Sequence, residues 1–151
     1  MAGVPKLTFT AATSSPRMNT FAILYDVNEK NQARLVTRGA YAIKGPQDSP
    51  VYELYPQDWT FKKGHRIALL MANSDDGWFT PPPTQQSATV SQARLTFPVL
   101  PKVHDKFLVS QPSQYERSRG AGFTVPADAL KSGTVTADLP PRRTAAKRRG
   151  R

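Results

Sequence analysis

Alternation of apolar and polar side chains begins at Val4–Ala11, where Leu7, Phe9 and Ala11 oppose Lys6, Thr8 and Thr10. A period of two predicts a half-buried strand. Thr20–Val27 and Arg34–Ile43 are rich in aromatic and β-branched residues, and the polar run Asp26–Gln32 between them is turn-prone. That pair predicts a β-hairpin. Val51–Tyr55 follows the loop Gly45–Pro50, and Ala88–Phe97 alternates again through Val90, Ala93, Leu95 and Phe97. Arg66–Asn73 is the most apolar stretch and predicts a central strand. Beyond Pro98 the pattern weakens to short extended segments at Phe107–Ser110, Gly122–Val125 and Thr134–Leu139. No long stretch carries a 3.6-residue repeat with caps, and Ala127–Lys131 offers about one helical turn before Gly133. Fourteen prolines and nine glycines punctuate the chain as many short strands require. The expected fold is all-β, an antiparallel β-sandwich or jelly roll over residues 1–141.

Length and composition narrow the class without changing the fold. At 151 residues the chain suits one domain with a tail, and 38% hydrophobic against 21% charged residues is a globular balance. The absence of cysteine excludes disulfides, thiolate metal sites and cysteine nucleophiles. Apolar runs such as Ile67–Ala72 are far short of the roughly 20 residues that span a bilayer, so no membrane partner is expected. The opening MAGVPKLTF lacks the basic and apolar segments of a secretory signal. Localisation stays open.

The formal charge of +10 points first to nucleic acid, but its distribution does not. Arg142, Arg143, Lys147, Arg148, Arg149 and Arg151 supply six of the 21 cations, with no acid beside them. Residues 1–141 hold 15 basic against 11 acidic groups, a mild +4. The ten residues after Pro140-Pro141 carry no large apolar side chain, and a disordered basic tail over 142–151 is expected. Such a tail touches phosphates through a few screened contacts, or is merely solvated.

Candidate chemistry is sparse. His65 and His104 are the two imidazoles, and no G-x-S-x-G elbow is present. Ser74-Asp75-Asp76 lies near His65 in sequence, yet the two ends of one strand stand roughly 25 Å apart. His65 is expected to be a turn residue after Gly64, capped by local hydrogen bonds. Asp26-x-Asn28-x-Lys30 begins like a calcium loop, but lysine, Asn31 and Thr37 stand where a ligand, glycine and terminal acid belong. Asp75-Asp76, Asp58 and Glu53 offer acids for a loop calcium site but follow no spacing rule, so no metal and no cofactor is expected. The loop aromatics Tyr55, Trp59, Phe61, Trp78 and Phe79 either plug the ends of the sandwich or form an apolar platform for a sugar or a protein. Thr80–Thr84 is a stiff polyproline-like loop without an arginine-anchored ligand pattern.

A resemblance sharpens this picture. Tyr55-Pro56-Gln57-Asp58-Trp59-Thr60-Phe61-Lys62-Lys63-Gly64-His65-Arg66-Ile67 resembles a signature of the C-terminal β domain in the cocaine esterase and X-Pro dipeptidyl-peptidase group of serine hydrolases, peptidase family S15. Gly3–Leu7, Leu24–Val27, Leu35–Tyr41, Ser74–Trp78, Leu95–Pro98 and Thr134–Pro141 follow in the expected order. The likeness covers about residues 2–141; the basic tail departs from it.

The resemblance implies a galactose-binding-like jelly roll that packs against an α/β-hydrolase domain carrying the Ser-Asp-His triad. No catalytic residue of the family falls on this chain, so a non-catalytic module is expected. It would dock to a hydrolase domain or to itself, with Trp59, Trp78 and Phe79 as anchors. The alternatives are a carbohydrate-binding module, adding Asp58, Asp75, Asp76 and Arg66, and a structural protein whose tail contacts nucleic acid.

Overall fold

The structure, a computed structural model, describes residues 1–75, 86–100, 123–126 and 128. Among these residues ten strands form: β1 Ala2–Gly3, β2 Lys6–Thr13, β3 Arg17–Val27, β4 Gln32–Lys44, β5 Gln47–Asp48, β6 Val51–Glu53, β7 Gln57–Asp58, β8 Arg66–Ala72, β9 Ala88–Thr96 and β10 Phe123–Thr124. All pairings are antiparallel. The first sheet runs β10-β4-β3-β8. The second is built on β2, with β9 along one edge and β5 and β6 sharing the other. A ribbon of β1 and β7 closes one corner.

The expected all-β antiparallel sandwich is what the chain forms. Leu7, Phe9 and Ala11 of β2 face Ala22 and Leu24 of β3, with Val36 and Ile43 of β4 and Tyr52 and Leu54 completing one buried cluster. The predicted hairpin is present as β3 and β4, closed by an Asn28 side chain that accepts from the Lys30 and Gln32 amides at 2.9 Å. That asparagine turn replaces any calcium loop at this position, and Asp26 belongs to the strand.

One expectation is corrected. The most apolar stretch, β8, is an edge rather than the centre: among the described residues it pairs with β3 alone. The central strand is β3, bonded on both sides and buried continuously from Thr20 to Leu24. The exposed pieces β1, β5 and β7 are two residues each, too short for a periodic signal. Of the weaker segments, β10 realises the middle of Gly122–Val125. Phe107–Ser110, Thr134–Leu139, the tail and most of Ala127–Lys131 lie outside the described residues.

The chain changes sheets twice through one tightly tied corner. Ser15 Oγ donates to Arg17 O at 2.7 Å between β2 and β3, while Gly45 N bonds Pro16 O and Thr13 N bonds Pro46 O. Gly45 is required there, since a Cβ would lie 2.0 Å from Ser15 O.

Candidate functional site

The site is built outward from a register fault. Between Leu24 and Tyr25 the β3–β4 pairing slips, with Leu24 opposite Thr37 and Tyr25 opposite Leu35. Val36 is the extra residue of a β-bulge, which unpairs local backbone groups. The loop after β6 takes them up. Gln57 Nε2 donates to Val36 O at 3.0 Å, Thr37 Oγ1 donates to Tyr55 O at 2.7 Å, and Tyr55 N donates to Arg38 O. This ties the loop carrying Trp59 across the end of the sandwich. Trp59 and Phe61 pack on the core from there, and Phe61 lies against Phe97.

Asp26 continues the inward parity of Ala22 and Leu24 and is 6% exposed. Its two oxygens are used separately. Trp59 Nε1–H donates to Oδ2 at 2.9 Å, and His65 Nδ1 meets Oδ1 at 2.7 Å. A carboxylate taking donors on both oxygens sets the imidazole with its hydrogen on Nδ1 and leaves Nε2 facing away. Arg34, opposite Asp26 in the register, places its guanidinium 5.5 Å from the Trp59 ring centre. Trp59 is also clamped by backbone bonds in both directions with Met1, each 2.9 Å.

His65 therefore corrects the expectation of purely local capping. Its amide does bond locally, to Lys62 O at 3.1 Å, but its side chain pairs with a carboxylate 39 positions earlier. An Asp–His pair is two parts of a hydrolytic triad. Among the described residues no serine or threonine hydroxyl bonds His65 Nε2. The described geometry orients an imidazole and an indole. It assembles no nucleophile with them.

The remaining predicted residues separate. Asp58 is exposed on β7 beside Trp59. Arg66 is exposed at the start of β8 and donates to Asn31 Oδ1 and, at 3.4 Å, to Asn28 O. Asp75 sits past the other end of β8 and pairs with Arg38 at 2.8 Å, so it shares no cluster with Asp58, Trp59 and Arg66. That ion pair lies on the outer face of the first sheet beside Tyr25, whose hydroxyl is pushed up by burial, with the Asp75 charge adding and Arg38 opposing. Asp76, Trp78, Phe79, His104 and Arg142, Arg143, Lys147, Arg148, Arg149 and Arg151 lie outside the described residues. Among the described residues no three acidic or histidine side chains converge as a metal site. No described helix is long and apolar enough to cross a membrane.

A docking module calls for an apolar patch on one face, and the outer face of the first sheet carries apolar residues. In register across it stand Ala68, Tyr25 and Leu35, then Leu70, Ile23 and Arg38, then Ala72, Phe21 and Ala40. The Phe123 ring meets Tyr25 edge-on at 5.2 Å. Leu70 and Phe123 are 46% and 49% exposed, whereas Ile23 and Phe21 are buried. The signal was available in the sequence: Phe21-Ala22-Ile23-Leu24-Tyr25 does not alternate, which is how a strand covered on both faces reads.

No family model, curated protein or solved structure matches the chain.

Proposed function

We propose that the chain is a non-catalytic β-sandwich module that works by docking to an α/β-hydrolase catalytic domain of the S15 type. The observation that carries this reading is the second apolar face of the first sheet. An antiparallel sheet with one solvated face alternates apolar and polar residues. Here Phe21, Ile23, Tyr25, Ala68 and Leu70 put apolar residues on the outer face as well, beside the Arg38–Asp75 pair; Phe21 and Ile23 are already buried within the chain, while Leu70 and Phe123 remain half exposed. The half-exposed residues of that face, Leu70 and Phe123, fit contact with another domain. The resemblance of Tyr55–Ile67 supplies the kind of domain.

The sugar-binding alternative draws less from the geometry. Trp59 has its indole N–H committed to Asp26 and the Arg34 guanidinium over its ring. A sugar stacks on an open aromatic face, and the guanidinium occupies one face of this ring.

The test has two arms. The purified chain is assayed on p-nitrophenyl acetate, p-nitrophenyl butyrate and an X-Pro-p-nitroanilide, with and without a serine-directed inhibitor. Separately, it is mixed with an S15-type catalytic domain stripped of its own β domain and analysed by light scattering. No turnover above a heat-killed control, a 1:1 complex, and loss of that complex in Leu70→Asp with an unchanged fold are expected. Inhibitor-sensitive turnover by the chain alone, or no complex, would overturn the reading.

A further inference from the structure

Half of the described cations gather at one end of the sandwich. Lys30 stands in the β3–β4 turn, Arg34 near the start of β4, Lys62 and Lys63 in the turn before β8, and Arg66 on its first residue. The fold joins these segments closely. Val27 is in register with both Arg66 and Ala33, and Asp26 with Arg34. Arg66 bonds Asn28 and Asn31 across the hairpin turn. A Cβ on Gly64 would lie 2.2 Å from Glu29 Oε1, so the Lys62–Gly64 turn rests against the hairpin turn. Buried Asp26 holds the two pieces together through His65 and Trp59.

Among the described residues, no carboxylate pairs with any of these five cations; the ion pairs formed are Lys6–Glu53, Arg38–Asp75 and His65–Asp26. The exposed acids near this end are Glu29, Asp58 and, three residues past the Val125 amide that bonds Asn31 O, Asp128. Unpaired like charges held together on a rigid frame repel one another, and an anionic partner relieves that repulsion. Arg66 also has the parity of Ala68 and Leu70, which continues the patch onto the rim of the apolar face.

We infer that this cationic end is a docking surface for an acidic polypeptide, the partner face that meets Lys30, Lys62, Lys63 and Arg66 being rich in Asp and Glu. The inference deepens the docking reading and rests on it for the partner being a protein. Two features favour polypeptide over nucleic acid. Glu29 stands within the patch, and a stiff duplex with one phosphate charge per about 1.7 Å of axis cannot avoid it, whereas separate carboxylates on a polypeptide can. Arg34 also places its guanidinium over the Trp59 ring, so that face is not offered to a stacking base.

The experiment is an amide chemical-shift titration of the full-length chain with a synthetic decaglutamate peptide, and in parallel with a ten-base-pair DNA duplex. Saturable shifts are expected at Asn28–Arg34 and Lys62–Arg66, weakening about tenfold or more between roughly 50 and 200 mM NaCl. Lys62→Gln with Lys63→Gln, two exposed turn positions outside the core, should weaken decaglutamate roughly fivefold without moving core resonances. Shifts confined to residues 142–151, or a duplex that saturates the patch at lower concentration than the peptide, would overturn the inference. A failed titration beside an intact, Leu70-dependent complex removes only the charged surface; a lost complex beside a successful titration removes only the hydrolase reading.

Discussion

Single side chains decide how the end of the sandwich is held. Asp26 accepts from two donors in a buried place, so Asp26→Asn, which keeps one acceptor oxygen, should lose about 2 kcal/mol in urea unfolding. Trp59→Phe removes the indole donor and part of the ring that packs on the core, and the double variant should fall short of the sum of the two because both sit in one network. Tyr52 is the opposite case. Its hydroxyl is buried without a hydrogen-bond partner, and that burial pushes its ionisation up. Its ring stacks on Tyr41 at 5.4 Å and meets Phe9 edge-on, contacts that phenylalanine keeps. Tyr52→Phe should therefore unfold at the same temperature or higher, by up to about 1 kcal/mol. Asp48 accepts from the Lys44 amide at 2.9 Å and from Tyr41 Oη at 3.1 Å; the Lys44 bond above all holds its carboxyl below the ordinary 3.8. A lowered native value means stability that is present above the unfolded value and lost as pH falls through the native one. Asp48→Asn should accordingly be less stable than the parent at neutral pH, the gap closing below pH 3.8. Thermal melts across pH check this.

At the scale of elements, centre and edge exchange the places that hydropathy alone assigns. Leu24 of β3 is fully buried, and Leu24→Ala should cost about 3 kcal/mol. Leu70 of β8 is 46% exposed, and Leu70→Ala should cost less than about 1 kcal/mol in the isolated chain, although it lies in the more apolar run. Denaturant unfolding of the two variants separates a central strand from an edge strand. The β2–β9 pairing also slips, where Gln92 and Ala93 together oppose Phe9 and Gln92 adopts a φ of 54°. A left-handed residue in a bulge favours glycine, so Gln92→Gly should leave stability unchanged or raise it by a few tenths of a kcal/mol.

For the whole molecule, charge and apolar surface are arranged separately from composition. The net +10 is divided between a tail carrying six cations and a body in which half of the described cations share one end. That end adjoins the outer face of the first sheet through Arg66. A docked partner should thus be released by two independent means: Leu70→Asp at any salt, and high salt for the parent chain. Light scattering of the complex with a stripped catalytic domain reads both.

The period-two runs at β2 and β9 and the aromatic and β-branched runs at β3 and β4, with turn residues between them, determined the all-β antiparallel class, because alternation and strand propensity are local properties of extended backbone. Local chemistry also determined the Asn28 turn. Strand order, by contrast, depends on which edges pair. Hydropathy cannot distinguish β3, covered on both faces, from β8, which is apolar for two half-covered ones. The Asp26–Trp59–His65 constellation joins positions 33 and 39 residues apart. The one trace of it in the sequence is a carboxylate on the inward side of an apolar strand, which announces that donors must arrive without saying from where. Only the bulge at Val36, and the loop it draws across the end of the sandwich, settled which donors those are.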